Sequence, residues 1–192
     1  MRAEIIGTQA VAMRNIGLDA LICCSPENFA YCTGFVVPSQ PLIRHRHAMA
    51  LVKADATTAL FCVDMEATTV RNREPDLPMT VWAEFSDDPM SVLADMLTRE
   101  GLSQSAIGIE MDYLPAGDLA RLQKFLPKAR FTGCEQLLSR LRQIKTPEEI
   151  SLLRRLSRIA DQAITDALHD VKAGDTELDI AGRMTRNIYA LG

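Results

Sequence analysis

The sequence predicts an α/β fold, a mixed β-sheet flanked by helices, followed by two further helices with no sheet of their own to cover. Three observations carry this. Short apolar runs of strand length are interleaved with stretches whose apolar residues recur every three or four positions. Several strands come early and strict helix–strand alternation follows only later, which points to a mixed rather than a purely parallel sheet. After residue 146 the pattern becomes one long helical stripe and a second helix, and no strand pattern follows.

Residues 2–16 read as an amphipathic helix, with Ile6, Ala10, Met13 and Ile16 on one stripe and Gly17 as its stop. Residues 20–24 are an apolar strand buried on both faces. Ser25-Pro26-Glu27-Asn28 opens a short helix that Thr33-Gly34 ends. A polar, proline-flanked loop runs from Val37 to about Arg46, and residues 48–52 and 59–63 form a hairpin. A short helix at 64–71 and a strand at 79–82 follow. Asp88 as N-cap and Pro89 behind it open a helix with Met90, Leu93, Ala94 and Leu97 inward. Next come a strand at 107–110, a helix at 115–126 carrying Leu119, Leu122 and Phe125, a strand at 129–132 and a helix at 135–144. Thr146-Pro147-Glu148-Glu149 is a capping box with proline at the first helical position. Behind it Ile150, Leu153, Leu156, Ala160, Ala163, Ile164, Ala167, Leu168 and Val171 hold one face until Gly174. Thr176 caps a last helix with Ile180, Met184 and Ile188 inward.

Composition narrows the function. With 192 residues, 47% of them apolar and 24% charged, the chain has the balance of a soluble globular protein. No apolar run approaches the ~20 residues that span a bilayer, and the N-terminus lacks the apolar core of a secretory signal. A cytoplasmic protein with no membrane partner is expected. The net charge of −4 gives no reason to expect a nucleic-acid partner. Residues 121–158 hold ten Lys and Arg against three Asp and Glu, but without aromatic interleaving, so they read as a solvated helical face. Cys23, Cys24, Cys32, Cys62 and Cys134 have no paired spacing and read as buried free thiols. No nucleophile elbow and no phosphate-binding glycine loop occurs.

Three segments stand out when taken together. The first is Gly17-Leu18-Asp19-Ala20-Leu21, followed by Pro26-Glu27-Asn28-Phe29-Ala30-Tyr31-Cys32-Thr33-Gly34-Phe35. The second is Ile107-Gly108-Ile109-Glu110-Met111-Asp112. The third runs from Leu141-Arg142-Gln143-Ile144-Lys145 through the Thr146 capping box, and continues at Gly174-Asp175-Thr176-Glu177-Leu178-Asp179-Ile180-Ala181. Together these segments resemble the creatinase/prolidase/aminopeptidase P family of pita-bread metallohydrolases; read as residues alone, they are caps and turns that need do no chemistry.

The resemblance implies a creatinase N-terminal-like domain over residues 1–140. Residues 141–192 would be a linker and the first two helices of a truncated pita-bread catalytic domain. In that family two divalent metals (Mn, Co or Zn) sit on two Asp, one His and two Glu of the pita-bread domain and supply hydroxide and Lewis-acid chemistry. No catalytic residue, metal ligand or cofactor is therefore expected in this chain, which should be inactive alone. The parent would split the bond before proline in a peptide, or hydrolyse a small C–N substrate such as creatine. A homodimer or higher oligomer is expected. A free-standing, non-catalytic dimerisation or ligand-binding module is the other reading.

One segment is a candidate binding site, Arg44-His45-Arg46-His47. If extended, it sends both arginines to one side and both histidines to the other. Two histidines without a nearby carboxylate are too few for a metal. Arginine suits a substrate carboxylate, and in relatives the N-terminal domain of one subunit can reach its neighbour's active site. A charged strand entry is the plainer alternative. His169, near Asp166 and Asp170, reads as a solvated residue at a helix end.

Overall fold

The computed structural model describes residues 2–192 and divides into two compact units, Met1–Arg142 and Gln143–Gly192. The first unit is built on six strands: β1 (Ala20–Cys23), β2 (Met49–Lys53), β3 (Thr58–Val63), β4 (Met79–Trp82), β5 (Ala106–Ile109) and β6 (Arg130–Gly133). Their order across the sheet is β4-β3-β2-β1-β5-β6. The pairs β1–β2 and β2–β3 are antiparallel, and β3–β4, β1–β5 and β5–β6 are parallel. The mixed sheet expected from the strand pattern is thus present.

Six helices of this unit cover the sheet: α1 (Ala3–Asn15), α2 (Pro26–Thr33), α3 (Ala67–Arg73), α4 (Pro89–Arg99), α5 (Ala116–Phe125) and α6 (Glu135–Gln143). Successive strand residues point to opposite faces, so a strand buried on both sides feeds two cores. Ile22 of β1 joins Phe61, Trp82, Met90, Leu93, Leu97, Ile107 and Leu122 beneath α4 and α5. Its neighbours Leu21 and Cys23 join Ile6, Met13, Phe29, Cys32, Leu60, Val70 and Leu138 beneath α1, α2, α3 and α6.

Local chemistry explains the element ends. The Ser25 hydroxyl accepts from the Asn28 N–H at 3.2 Å and caps α2, and Gly34 ends that helix at φ 85°, a left-handed value that favours glycine. Asp88 caps α4 by accepting from Met90 N–H at 3.0 Å. Asp19 stitches strands: its N–H donates to the Ala106 carbonyl at 2.8 Å, and its carboxylate accepts from the Ala106 N–H at 2.8 Å.

Three expectations need correction. Residues 44–46 form turns rather than an extended entry to β2, because the chain reverses there: Ile43 N–H donates to the Ser39 carbonyl and Arg46 N–H to the Ile43 carbonyl, both at 2.9 Å. In α5, Phe125 is 46% exposed and Leu126 buried instead, because the helix ends at Phe125 and the next residue turns back to the sheet. The long helix of the second unit, α7 (Pro147–His169), ends ahead of Gly174, which sits at φ 97° inside the following turn.

The second unit pairs α7 with α8 (Glu177–Leu191). Both helices open with the full capping box, on Thr146 and Glu149 and on Thr176 and Asp179. Asn187 donates to the Ala163 carbonyl at 3.2 Å, and Arg183 pairs with Asp175 at 2.8 Å. Only Ala163 and Ala167 of the two helices are buried, while Ile150, Leu153, Leu156, Ile164 and Leu168 stay exposed.

Gly108 is a point of close approach between β1 and β5. A Cβ there would lie 2.6 Å from Leu21 Cδ2, 2.9 Å from Leu18 Cδ1 and 3.0 Å from Cys134 Cβ. Gly108→Ala is expected to destabilise the fold by about 1–3 kcal/mol through overpacking, outweighing the roughly 0.5–1 kcal/mol that alanine gains over glycine in regular structure. Urea unfolding measures this. A midpoint equal to or above wild type would show that the β1–β5 approach is not tight.

Candidate functional site

The three motif segments meet at one buried carboxylate. Glu110, 3% exposed, follows β5. Its Oε2 accepts from the backbone N–H of Cys24 at 2.6 Å and of Ser25 at 2.9 Å, and its Oε1 accepts from Asn28 Nδ2 at 2.6 Å. Asn28 Oδ1 in turn accepts from Arg142 Nη1 at 3.2 Å. The Arg142 guanidinium also lies over the Tyr31 ring, 5.8 Å from its centroid, and Tyr31 donates to the Leu141 carbonyl at 3.4 Å. Every oxygen of this carboxylate is occupied by a protein donor, so the cluster is a tie between β1, α2, β5 and α6.

The loop carrying the candidate residues hangs beside this tie. Gln40, 1% exposed, donates from Nε2 to the Cys24 and Ala48 carbonyls, both at 2.8 Å. Ser39 N–H donates to Glu66 Oε1 at 2.9 Å. The loop then separates two open clefts. One, of about 630 Å³, is lined by Pro26, Glu27, Val36, Gln40, Arg44 and Tyr113 among others. The other, of about 390 Å³, is lined by His45, His47, Trp82, Phe85, Asp118 and Arg121 among others.

The four predicted residues are therefore not one cluster. Arg44 turns into the first cleft wall: its Nε donates to the Tyr113 carbonyl at 2.9 Å, its Nη2 to the Asp112 carbonyl at 3.2 Å and also to that of Tyr113, and its guanidinium lies 5.0 Å from the Tyr113 ring centroid. Burial raises the Tyr113 phenol above its ordinary value, with Arg44 opposing. Arg46 donates from Nε to Glu84 Oε1 at 2.7 Å. His45 is exposed on the rim of the second cleft.

His47 is the inward member, at 2% exposure. Its Nε2 lies 2.8 Å from Asp118 Oδ2. A carboxylate only accepts, so Nε2 carries the proton. Arg121 Nη2 donates to the other Asp118 oxygen at 2.6 Å, and Trp82 Nε1 donates to the His47 carbonyl at 3.1 Å. Asp118 and the partners of Glu110 are not legible in the sequence, because these contacts join residues about seventy or more apart. His169 is solvated at the end of α7, 3.5 Å from Asp170.

Among the described residues no group of three or more His, Cys, Asp or Glu is placed to hold a metal ion. His45 and His47 do not supplement each other, since Asp118 already takes His47. The residues present do not fit a two-metal centre. Nor, among the described residues, is any helix long and apolar enough to cross a membrane.

Residues 9–144 match the family model described as the creatinase/prolidase N-terminal domain, and the chain belongs to that family. It is 29% identical over 168 residues to an Xaa-Pro dipeptidase from Lactobacillus helveticus, covering 86% of this chain and 44% of that protein. It is 23% identical over 169 residues to a creatinase from Bacillus sp. (strain B-0618), covering 88% of this chain and 40% of that protein. A dipeptidase structure from Pyrococcus horikoshii OT3 superposes with a TM-score of 0.77 at 24% identity, over 98% of this chain and 50% of that one. The chain thus spans about half the length of the relatives it matches.

The buried His47 gives stability a pH dependence. Burial, chiefly, holds its imidazole below the ordinary value of 6.5 despite Asp118, with His45 and Arg121 adding in the same direction. Above that value the imidazole is neutral both folded and unfolded, and pH has no effect through it. Below it, the unfolded chain takes up a proton that the folded chain refuses, so stability falls as pH drops. Thermal melts between about pH 7.5 and pH 5.5 should show a falling Tm, and His47→Gln should flatten that slope. An unchanged slope in the variant would assign the acid sensitivity to other groups.

Proposed function

We propose that this chain is the N-terminal, substrate-side and self-association half of a metal-dependent hydrolase of the Xaa-Pro peptidase kind. The observation that carries this is the family match over residues 9–144 together with likeness to an Xaa-Pro dipeptidase of which the chain corresponds to 44%. Residues 141–192 would then be the linker and first two helices of the catalytic domain, which supplies the metal ligands. The likeness to a creatinase favours a small C–N substrate as the second reading.

Within that frame the loop at residues 44–47 would face the substrate of a neighbouring subunit, with His45 as its presenting residue. Arg44 and Arg46 are tied to Tyr113 and Glu84, so they brace the loop rather than reach outward. The test is hydrolysis of Xaa-Pro dipeptides and of creatine, with added Mn²⁺, by this chain and by a chain extended to the length of its relatives. The expected result is no hydrolysis by this chain, Xaa-Pro cleavage by the extended one, and a several-fold lower kcat/KM in the extended His45→Ala protein. Cleavage by this chain alone, or none by the extended chain, would overturn the reading. An unchanged kcat/KM in the variant would remove His45 from it.

Self-association rests on the exposed stripe of α7. Burying a Leu or Ile side chain is worth about 1.5–3 kcal/mol, and Leu153, Leu156, Ile164 and Leu168 are 39–56% exposed. The isolated chain should run as a dimer or larger species in multi-angle light scattering, and Leu153→Glu with Leu156→Glu should return it to a monomer. A monomeric wild-type chain would count against self-association through this stripe.

A further inference from the structure

Five cysteines lie buried in the first unit, and their sulfurs are unequally placed. Cys24 faces the α4–α5 core and points toward the Glu110 carbonyl, 3.9 Å away. Cys62 rests against Met79 Sδ at 3.7 Å. Cys23 and Cys32 are different. Cys23 is the last residue of β1, Cys32 lies in the last turn of α2, and both point into the core beneath α1 with their sulfurs 3.4 Å apart. Neither exposes any surface.

A buried polar side chain attends this pair. Gln9 of α1 is 1% exposed, and its amide nitrogen lies 3.2 Å from Cys32 Sγ and 4.0 Å from Cys23 Sγ. Its Oε1 is 3.5 Å from Cys32 Sγ. An amide in an apolar core needs partners, and here the two thiols provide them. Hydrogen bonds from Cys23 and Gln9 favour the charged form of Cys32, whereas contact with Cys32 and burial push the Cys23 thiol up. The two sulfurs are thus chemically unequal.

We propose that Cys23 and Cys32 are a dithiol oxidation site, which hydroperoxide converts to an intrachain disulfide. The separation of 3.4 Å closes to a bond of about 2.05 Å on oxidation. In the first step Cys32 sulfur attacks one peroxide oxygen. The O–O bond breaks, the sulfur becomes a sulfenic acid, and the other oxygen leaves as water with the thiol proton. In the second step Cys23 sulfur attacks Cys32 sulfur, the S–O bond breaks, and a second water leaves with the second thiol proton. Cys32 is the attacking sulfur because the Gln9 amide N–H lies 3.2 Å from it, against 4.0 Å from Cys23, and supports the charge that develops there. Hydrogen peroxide is small and uncharged, and because both thiols are fully buried the reaction requires local opening of the fold and is slower than at an exposed thiol. The product ties the end of β1 to the last turn of α2, the helix whose first turn is held by Glu110.

The native chain is treated with hydrogen peroxide, unfolded, alkylated with N-ethylmaleimide and digested without reduction by chymotrypsin, which cuts between Cys23 and Cys32 at Phe29 and Tyr31. The expected result is a cross-linked peptide pair joining Cys23 to Cys32, three alkylated cysteines where the reduced chain shows five, reversal by dithiothreitol, and a higher Tm for the oxidised chain. Cys24→Ala should keep the link, and Cys32→Ala should lose it. The wild-type map decides the matter even if Cys32→Ala fails to fold. Five alkylated cysteines after peroxide, a link to Cys24, or sulfinic acid at one cysteine without a link would each overturn the proposal.

Discussion

The first unit is organised around the Glu110 carboxylate. Two parallel neighbours in the sheet, β1 and β5, end side by side, and the chain leaves both at the same edge. There Glu110 collects the backbone N–H groups of Cys24 and Ser25 and the Asn28 amide. A buried charge of this kind is tolerated only when its lone pairs are filled. Charge-assisted hydrogen bonds are worth about 1.5–3 kcal/mol each, and removing one side of a buried charged network costs more than the bonds it made. The tie therefore sets where α2 begins. Through Asn28 and Arg142 it also sets where α6 ends.

The position of the candidate loop follows from the same constraint. Gln40 hangs the loop on the Cys24 carbonyl, the residue whose N–H Glu110 holds. Arg44 then lies against Tyr113, three residues past Glu110, and His47 reaches Asp118 on α5. The loop is pinned at both ends to segments that leave β5, and His45 at its bend is the one member of the four left on an open rim. Arg44, Arg46 and His47 of this charged segment are each held by a protein partner, and the position of His45 results from them.

How much of this could be read beforehand depends on the range of the interactions. Elements closed by neighbours in sequence were legible: the Thr146 capping box, Asp88 with Pro89, and the stop at Gly34 are all local chemistry, and all are present. The mixed sheet followed from the order of strand-like runs. The interior of the site was not legible. Glu110 meets its donors across 82 to 86 residues and His47 meets Asp118 across 71, and no periodicity encodes such pairs. The same holds for Cys23 and Cys32, which are nine apart yet meet only because α2 folds back along β1. Phe125 was misread for a different reason. Helical spacing admits both Phe125 and Leu126 to the inner face, and the place where α5 ends chooses between them.

The two units differ in how they satisfy themselves, and this difference bears on what each needs. The first fills two cores, one on each face of its sheet, and closes its buried carboxylates with its own donors. The second has two well-capped helices joined along a narrow seam of alanines. An N-cap contributes about 1 kcal/mol, but most helix stability in proteins comes from burying an apolar face. The face that carries Ile150, Leu153 and Leu156 is not buried. Its capping box specifies where α7 starts, while its energy is left for a surface outside the helix pair. Such a unit is stabilised by whatever covers it, and a second copy of the same stripe or the body of a catalytic domain would serve equally well in chemical terms. What separates them is stoichiometry. A self-paired stripe makes stability depend on protein concentration, whereas cover from the same polypeptide does not.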